Sequence, residues 1–372
     1  MITQLHVRNF KCFVDQAIPF GKLSLLSGLN GSGKSSLLQV MLLLRQSYQQ
    51  GLLSRGQLAL NGDLVQIGNA PDAIAEGATN DEIAFEIQTS DERATWSFRY
   101  DTEVEVLQST QAVNNESIFQ NALFVDSFRY LQAERLGPRT SSAMSDVQVR
   151  VHRQLGSRGE YTAHFLALFG NADMRNTAAA HPRAEAPSLV RQTEAWLSEV
   201  CPGIRLNLTM LSSIDAVSLR YPSILGEMVS NAYRPANVGF GVTYGLSVIV
   251  AALSADPGSL LIIENPEAHL HPRGQTQVGR LLALAACAGT QVIIETHSDH
   301  LLNGIRLAIY DGLLAPDDVM LHFFARSGSV SDVKTPKLDR NGRLNYWPNG
   351  FFDEWDKNLE LLLQPRVTPH VD

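Results

Sequence analysis

Cysteine is scarce in this chain, with three in 372 residues. Cys12, Cys201 and Cys287 lie far apart, which excludes a disulfide framework and a cysteine-built metal centre and fits reduced thiols. No apolar run reaches the roughly 18 residues that a membrane span needs. The opening residues, Met1 to Arg8, alternate like a strand and lack a signal-peptide core. The expectation is a cytoplasmic protein with no membrane partner. Sustained heptads are missing, so a long coiled coil is excluded. An excess of positive charge is also missing: 30 Lys and Arg against 38 Asp and Glu give a formal net charge of −8. DNA is therefore possible through a local basic face but not favoured as a partner. Hydrophobic residues make up 44%, ordinary for a globular protein, and the length suffices for one large α/β domain or two smaller ones.

Against these absences stands one dense motif. Residues 28–35 read Gly-Leu-Asn-Gly-Ser-Gly-Lys-Ser, after the apolar run Leu23–Leu26 and before the helical pattern Ser36–Leu44. Strand, glycine-rich loop and helix are the context of a phosphate-binding P-loop. Glycines let backbone N–H groups close round phosphate oxygens, and the helix N-terminus adds positive potential. Asn30, Gly31, Ser32, Gly33, Lys34, Ser35 and Ser36 are thus candidate nucleotide-binding residues. Lys34 would reach the β- and γ-phosphates, and the Ser35 hydroxyl would bind Mg²⁺.

Two further strand ends carry polar groups. Leu260-Leu261-Ile262-Ile263-Glu264 is an apolar strand ending in a carboxylate, the type of strand that α/β sheets bury and the end at which they place ligand groups. Glu264 is expected to bind Mg²⁺, directly or through water, opposite Ser35. Gln291-Val292-Ile293-Ile294-Glu295-Thr296-His297-Ser298 repeats the scheme, with His297 placed to donate a hydrogen bond to a γ-phosphate. His269 and His271 lack the spacing of a zinc helix motif, and Pro266 and Pro272 flank them, so they read as loop and packing residues.

The remainder divides by pattern. Residues 51–125 hold short alternating segments, among them 64–67, 83–87 and 95–100, separated by Gly, Asp and Asn turns, which predicts an antiparallel β-subdomain. Residues 128–132 read as a return to the core sheet. The middle, 139–235, is mixed, with helical patches near 160–169 and 188–200 and two strands in 204–222. The tail, 318–363, predicts two short strands, a turn and an amphipathic helix. The domain division is 1–138, 139–235 and 236–372.

GLNGSGKSS, LLIIENPEAHLHP and VIIETHSDHLL together resemble the ABC/SMC-type ATPases, and within them the OLD-like and RecF-like bacterial AAA family. Val7-Arg8-Asn9-Phe10-Lys11-Cys12-Phe13 is similar to that group's lead-in to the P-loop. The resemblance implies an α/β fold: an ABC-type P-loop ATPase head with a mostly parallel core sheet, an antiparallel β-subdomain and a helical or mixed insertion. It implies ATP and Mg²⁺ as cofactors and a homo-oligomer in which ATP is sandwiched between heads. It also implies a signature helix that binds the γ-phosphate held by the opposite subunit. The matching stretch is 237–247, in which Gly239 and Gly241 would admit close backbone approach and Thr243 would add a hydroxyl, before an apolar helix at 248–253. Gln132 corresponds to the glutamine that senses Mg²⁺ or the attacking water, with Gln66 as the alternative.

One departure bears on turnover. The family follows its strand-end acid with a second acid that polarises water, and this chain has Asn265 there. An amide orients water but accepts no proton at neutral pH. Either Glu267 takes over, or hydrolysis is slow. Slow hydrolysis fits a dimeric switch controlling a separate effector, a nuclease or toxin, as in anti-phage defence by similar stand-alone ATPases. The tail offers no acidic cluster for a nuclease of its own. The alternatives are a RecF/SMC-like DNA-repair clamp and a non-hydrolysing ATP-bound scaffold.

Overall fold

The computed structural model describes residues 1–102, 104–111, 115–226 and 228–364. It opens with β1 (Ile2–Phe10), β2 (Phe13–Pro19), β3 (Leu23–Gly28) and α1 (Lys34–Gln49). There follow β4 (Gln57–Ala59), α2 (Ala70–Ala73), β5 (Glu82–Thr89), β6 (Arg93–Arg99), β7 (Val106–Ser109) and β8 (Phe128–Leu131). The middle holds β9 (Ser142–Ala143), α3 (Thr162–Phe169), α4 (Leu189–Leu197), β10 (Asn207–Leu211), β11 (Ala216–Arg220) and the hairpin β12 (Ile224–Leu225) and β13 (Met228–Val229). The remainder is α5 (Phe240–Leu253), β14 (Leu260–Glu264), α6 (Pro272–Cys287), β15 (Gln291–Glu295), α7 (Asp299–Tyr310), β16 (Val319–Ser327), β17 (Val330–Lys334) and α8 (Glu354–Leu363).

Strands that are apolar on both faces must be covered on both. The core sheet runs β17-β16-β3-β15-β14-β8, parallel except for β17. Leu25, Ile294, Ile263 and Leu131 align in one row across it. They pack with Leu246 and Ile249 of α5, Leu281 of α6, and Leu301 and Ile305 of α7. Ile293, Ile262 and Tyr130 form the next row and face the other way. They meet Leu37, Leu38 and Met41 of α1, which also packs on Val7, Phe85 and Trp96 of the second sheet. That sheet is antiparallel, in the order β2-β1-β5-β6-β7-β4. Because side chains alternate with period two, the row Leu26, Glu295 and Glu264 also points to the α1 face. Two carboxylates are thus delivered to the helix that begins with Lys34 and Ser35.

Side-chain contacts lock the layers together. The buried Gln291 amide donates to the carbonyls of Ile2 (2.6 Å) and Gly21 (3.1 Å) and accepts from the Ile2 N–H at 2.9 Å, tying β1 to the start of β15. Arg129 of β8 is buried and donates to the carbonyls of Ala251 (3.1 Å) and Ser254 (3.1 Å) and to the Ser254 hydroxyl (2.6 Å), fixing the C-terminal end of α5. Helices α6 and α7 approach until an added Cβ at Gly304 would lie 2.1 Å from the Thr276 carbonyl oxygen, which only glycine permits.

The architecture agrees with the mostly parallel core sheet, the antiparallel subdomain and the mixed insertion expected from sequence. Several local readings are corrected. Residues 64–67 form no strand but a loop, closed by the Asn61 side chain on Gly68 (2.9 Å in both directions) and by Gln46 on the Val65 N–H (3.1 Å). The β-subdomain is not confined to 51–125, because β1 and β2 complete its sheet. In the tail, β16 is a nine-residue strand paired with β3, not a short one. The helix placed at 248–253 starts eight residues earlier, at Phe240. Gly241 is carried inside it because it packs on the loop at 269–270, where a Cβ would lie 2.5 Å from the His269 carbonyl oxygen, whereas a Cβ at Gly245 would make ordinary contact with Leu270 at 3.6 Å. Residues 365–372 of the third segment lie outside the described residues.

Candidate nucleotide site

β3 ends at Gly28, and the loop turns through positive φ at Gly28 (144°), Gly31 (73°) and Gly33 (114°) before α1 begins at Lys34. A side chain at Gly28 would place Cβ 2.2 Å from the Phe324 carbonyl oxygen of β16, so the glycine is needed for packing as well as for the turn. Leu29, Asn30, Gly31 and Ser35 are exposed, Ser36 is half-buried, and Ser32, Gly33 and Lys34 are buried. The Lys34 Nζ donates to the carbonyls of Gly28 and Leu29, both at 2.9 Å, and lies 3.9 Å from Glu295 Oε1. Burial lowers the Lys34 pKa, and Glu295 opposes that. A cavity of about 350 Å³ opens on this loop, lined by Lys11, Cys12, Lys34, Ser35, Asp72 and Arg326 among others.

The Ser35 hydroxyl was expected opposite Glu264. It donates instead to both oxygens of Glu295, at 3.1 and 3.2 Å. The reason is strand order: β15 lies between β3 and β14, so Glu295 is one strand from the P-loop and Glu264 is two. Glu264 accepts from the Tyr130 hydroxyl at 2.7 Å and from the Ala133 N–H at 3.2 Å. Burial, and next Glu264, push the Glu295 carboxyl up to about 7, while Lys34 and the Ser35 hydroxyl pull it partly back.

The loop after β14 is clamped. Arg135 donates to the carbonyls of Glu264 and Asn265, both at 2.6 Å, and its guanidinium lies over the Tyr244 ring at 5.3 Å. Burial lowers Arg135 to about 10, so it stays charged at neutral pH. Asn265 adopts φ 45°, and its N–H donates to the Glu295 carbonyl at 2.8 Å. Glu267 Oε1 accepts from the His297 N–H at 2.8 Å. His297 is exposed, and burial of part of the ring, then Lys34, lower its pKa, so the imidazole is neutral at neutral pH and keeps one N–H to donate. Gln132 is half-buried at the end of β8, level with Glu264, and its carbonyl accepts from Arg135 at 3.2 Å. Gln66 is exposed in the 61–68 loop.

The signature residues separate. Gly239 is the N-cap of α5, exposed, with open space around it, and Phe240 beside it is 55% exposed. Gly241 is buried, and its Cβ would lie 2.5 Å from the His269 carbonyl oxygen. The Thr243 hydroxyl is buried beside Tyr221. Gly241 and Thr243 therefore do not offer the contacts assigned to them from sequence, because the helix starts early enough to turn both inward. His269 packs on Phe240 (5.5 Å) and Tyr244 (4.6 Å) and His271 caps α6, as loop and packing residues.

These residues fit a magnesium nucleotide. Among the described residues, Ser32 Oγ, Asn265 Oδ1 and Glu267 Oε2 are buried without a hydrogen-bond partner. A buried unpaired polar atom costs about 1–3 kcal/mol, and these orphans stand at the ends of β3 and β14 where the P-loop opens. Among the described residues no three His, Cys, Asp or Glu converge as a metal cage. Mg²⁺ in nucleotide sites needs only one or two carboxylates besides phosphate and water, and Glu295, Glu264 and Ser35 supply that donor set.

Residues 23–303, about three quarters of the chain, match the family described as "AAA domain, putative AbiEii toxin, Type IV TA system". The chain belongs to this family. Residues 314–362 match a second family, described as a protein of unknown function. The fold is that of an SMC head. An SMC head bound to the C-terminal winged-helix domain of ScpA superposes with TM-score 0.53 at 14% identity, over 91% of this chain and 98% of that one. The SMC head of Thermotoga maritima gives 0.45 at 14% identity over 90% and 98%. That of Pyrococcus furiosus, with an extended coiled coil and bound to the C-terminal domain of ScpA, gives 0.47 at 12% identity over 98% and 99%. No curated protein matches. Among the described residues no helix of this AAA-family chain is long and apolar enough to cross a membrane.

Three residues of the site escaped the sequence reading: Glu295, Arg135 and Tyr130. Glu295 had a visible signal, since it ends its strand in the same register as Glu264. Its titration gives a stability prediction for the nucleotide-free protein. Its folded pKa is raised, so between about 4.5 and about 7 the folded chain holds a proton that the unfolded chain has lost. Stability from this group is therefore present at low pH and is lost as pH rises through that window, by about 3 kcal/mol at 1.36 kcal/mol per unit. Chemical unfolding should find Glu295→Gln more stable than the unaltered chain by up to about that amount at pH 8. The two should unfold alike near pH 4.5, and a difference independent of pH would contradict the assignment.

Proposed function

We propose that the chain is an ATP-gated dimeric switch with slow hydrolysis, acting on a separate effector. The observation that carries this reading is that both halves of a composite site face outward. On one side are Leu29 (74% exposed), Asn30, Gly31 and Ser35. On the other are Gly239 and Phe240 at the start of α5. Leu29 and Phe240 are apolar groups beside phosphate-binding backbone, and a second head closing over the nucleotide would cover both. The N-terminus of α5 would then present its free N–H groups and its dipole to the γ-phosphate on the partner's P-loop.

Within one head, Lys34 and the loop N–H groups hold the phosphates. Ser35, Glu264 and Glu295 would hold a Mg²⁺ bound with the nucleotide, and it would supply neutralisation of phosphate charge. Neutral His297 donates to the γ-phosphate. Gln132 at the end of β8 is a candidate to orient the attacking water or a metal-bound one. Asn265 turns water with its amide but takes no proton, so proton removal is the slow step; Glu267, held on the His297 N–H through Oε1, keeps Oε2 without a partner as the remaining acceptor. The family description, which names a toxin of a toxin–antitoxin system, supports a role in controlling an effector of defence, with a nuclease or toxin as the class of partner.

Asn265 tests the slow step. Its φ of 45° is tolerated by Asn and Asp and strains Glu. Asn265→Asp, which puts a carboxylate oxygen where the orphaned Oδ1 stands, is expected to raise steady-state ATP turnover at least about tenfold. Turnover equal to or below that of the unaltered chain would sink the slow-switch reading.

A further inference from the structure

We propose that α8 of one chain docks on the basic hairpin at 337–345 of a second copy, in a reciprocal two-fold contact that forms without nucleotide. The contact involves none of the residues assigned to the nucleotide, and its pair is the resting assembly that MgATP would double. A short helix alone in water is marginal, because too few hydrogen bonds repay its nucleation. Helix α8 has ten residues, Glu354–Leu363, and every one of them is exposed. Trp355, Leu359 and Leu362, at i, i+4 and i+7, form an apolar stripe with Leu363 beside it. Trp355 is 69% exposed and Leu362 82%. The start of the helix is nevertheless fixed to the body of the protein. Phe351 is buried against Phe323 (5.6 Å) and Trp347 (5.7 Å). Asp353 accepts from the Gly350 N–H at 3.0 Å and pairs with Lys357 at 2.9 Å, and Lys357 also donates to Asn349 at 2.6 Å. This anchored turn presents the stripe outward, where another surface must cover it.

Charge selects that surface. Glu354, Asp356 and Glu360 outnumber Lys357 on α8. At 3.6 residues per turn, Asp356 and Glu360 border the stripe on its Leu363 side. The hairpin at 337–345 carries the opposite sign. It is closed by the pairing of Leu338 with Leu344 and by the Asn345 N–H on the Lys337 carbonyl at 2.9 Å. It exposes Lys337, Arg340 and Arg343 against a single acid, Asp339. Tyr346 and Trp347 follow it, both exposed, and give the stripe apolar surface to cover. An acidic amphipathic helix and a basic hairpin with an aromatic edge are complementary. With every α8 residue exposed, the helix does not cover its own hairpin. In a two-fold pair the same two surfaces meet twice, helix on hairpin and hairpin on helix. Only residues 346–353 separate them along the chain, so both contacts fall within one interface.

The test is sedimentation of the full chain without nucleotide, for the unaltered protein and two charge-swapped forms. One form carries Asp356→Arg with Glu360→Arg, the other Arg340→Glu with Arg343→Glu. All four side chains are exposed, so the swaps spare the core. The unaltered chain is expected to sediment as a pair. Each swapped form alone sets like charges together in both contacts and is expected to associate at least about tenfold more weakly. An equal mixture of the two forms restores opposite charges in both contacts and is expected to pair within about threefold of the unaltered chain's affinity. An unaltered chain that stays single, as it would if an effector alone covered α8, overturns the proposal. So does a swapped form that pairs normally, or a mixture that fails to recover. Should a swapped form misfold by circular dichroism, Leu362→Glu in the stripe carries the same expected loss, and unchanged pairing in it overturns the proposal.

Discussion

Lys34→Ala should weaken ATP binding about a hundredfold or more, equivalent to about 2.7 kcal/mol. The ammonium is buried in the mouth of the loop, where among the described residues the Gly28 and Leu29 carbonyls and Glu295 at 3.9 Å satisfy it. Charge-assisted hydrogen bonds contribute about 1.5–3 kcal/mol each, and a nucleotide offers Lys34 better acceptors than two carbonyls. Removing it also takes away the cation that partly offsets the burial of Glu295, so that carboxyl holds its proton more tightly. Equilibrium titration with an ATP analogue measures this. A dissociation constant within about threefold of the unaltered chain's, well short of one such hydrogen bond, would contradict the phosphate role of Lys34.

Arg135→Met should be nearly as damaging, by a different route. Arg135 is 2% exposed, and its guanidinium holds the carbonyls of Glu264 and Asn265 at 2.6 Å and that of Gln132 at 3.2 Å. Methionine fills much of the volume and donates nothing. Leaving buried carbonyls without their donor costs about 1–3 kcal/mol each, and turnover should fall at least about tenfold as Asn265 and the strand end lose their anchor. Arg135→Lys should rescue only part, because a single ammonium cannot reproduce the planar fork that spans two successive carbonyls. Urea unfolding and steady-state turnover measure the two effects. Full stability in Arg135→Met would show that the clamp bears no strain in the folded chain.

The local part of this site was legible in the sequence. Gly28 to Ser35, Glu264 and His297 stand in contiguous patterns whose chemistry is set by spacing along the chain. The part carried by strand order was not. Ser35 and Glu295 are 260 positions apart and Arg135 and Asn265 are 130 apart; the first pair meets because β15 inserts between β3 and β14, the second because β8 pairs with β14. The continuous apolar runs in 260–264 and 291–295 predicted two buried strands, and the parity of Glu264 and Glu295 was available in them, but the identity of the P-loop's neighbour was not. The start of α5 was misplaced for another reason. Glycines at 239, 241 and 245 read as a loop because helix propensity disfavours them. Packing against the 269–270 loop reverses that preference for Gly241, where a Cβ would meet the His269 carbonyl oxygen.

The proposed switch depends most on ATP joining two heads through the P-loop of one and the α5 N-terminus of the other. Light scattering of the purified chain, without nucleotide, with MgATP and with MgADP, tests this directly. The predicted result is a mass of one chain without nucleotide or with MgADP and of two chains, or a doubling of any resting assembly, with MgATP, abolished in Lys34→Ala and in Gly239→Asp. A mass that stays the same in all three conditions, while the ATP analogue binds, would contradict it.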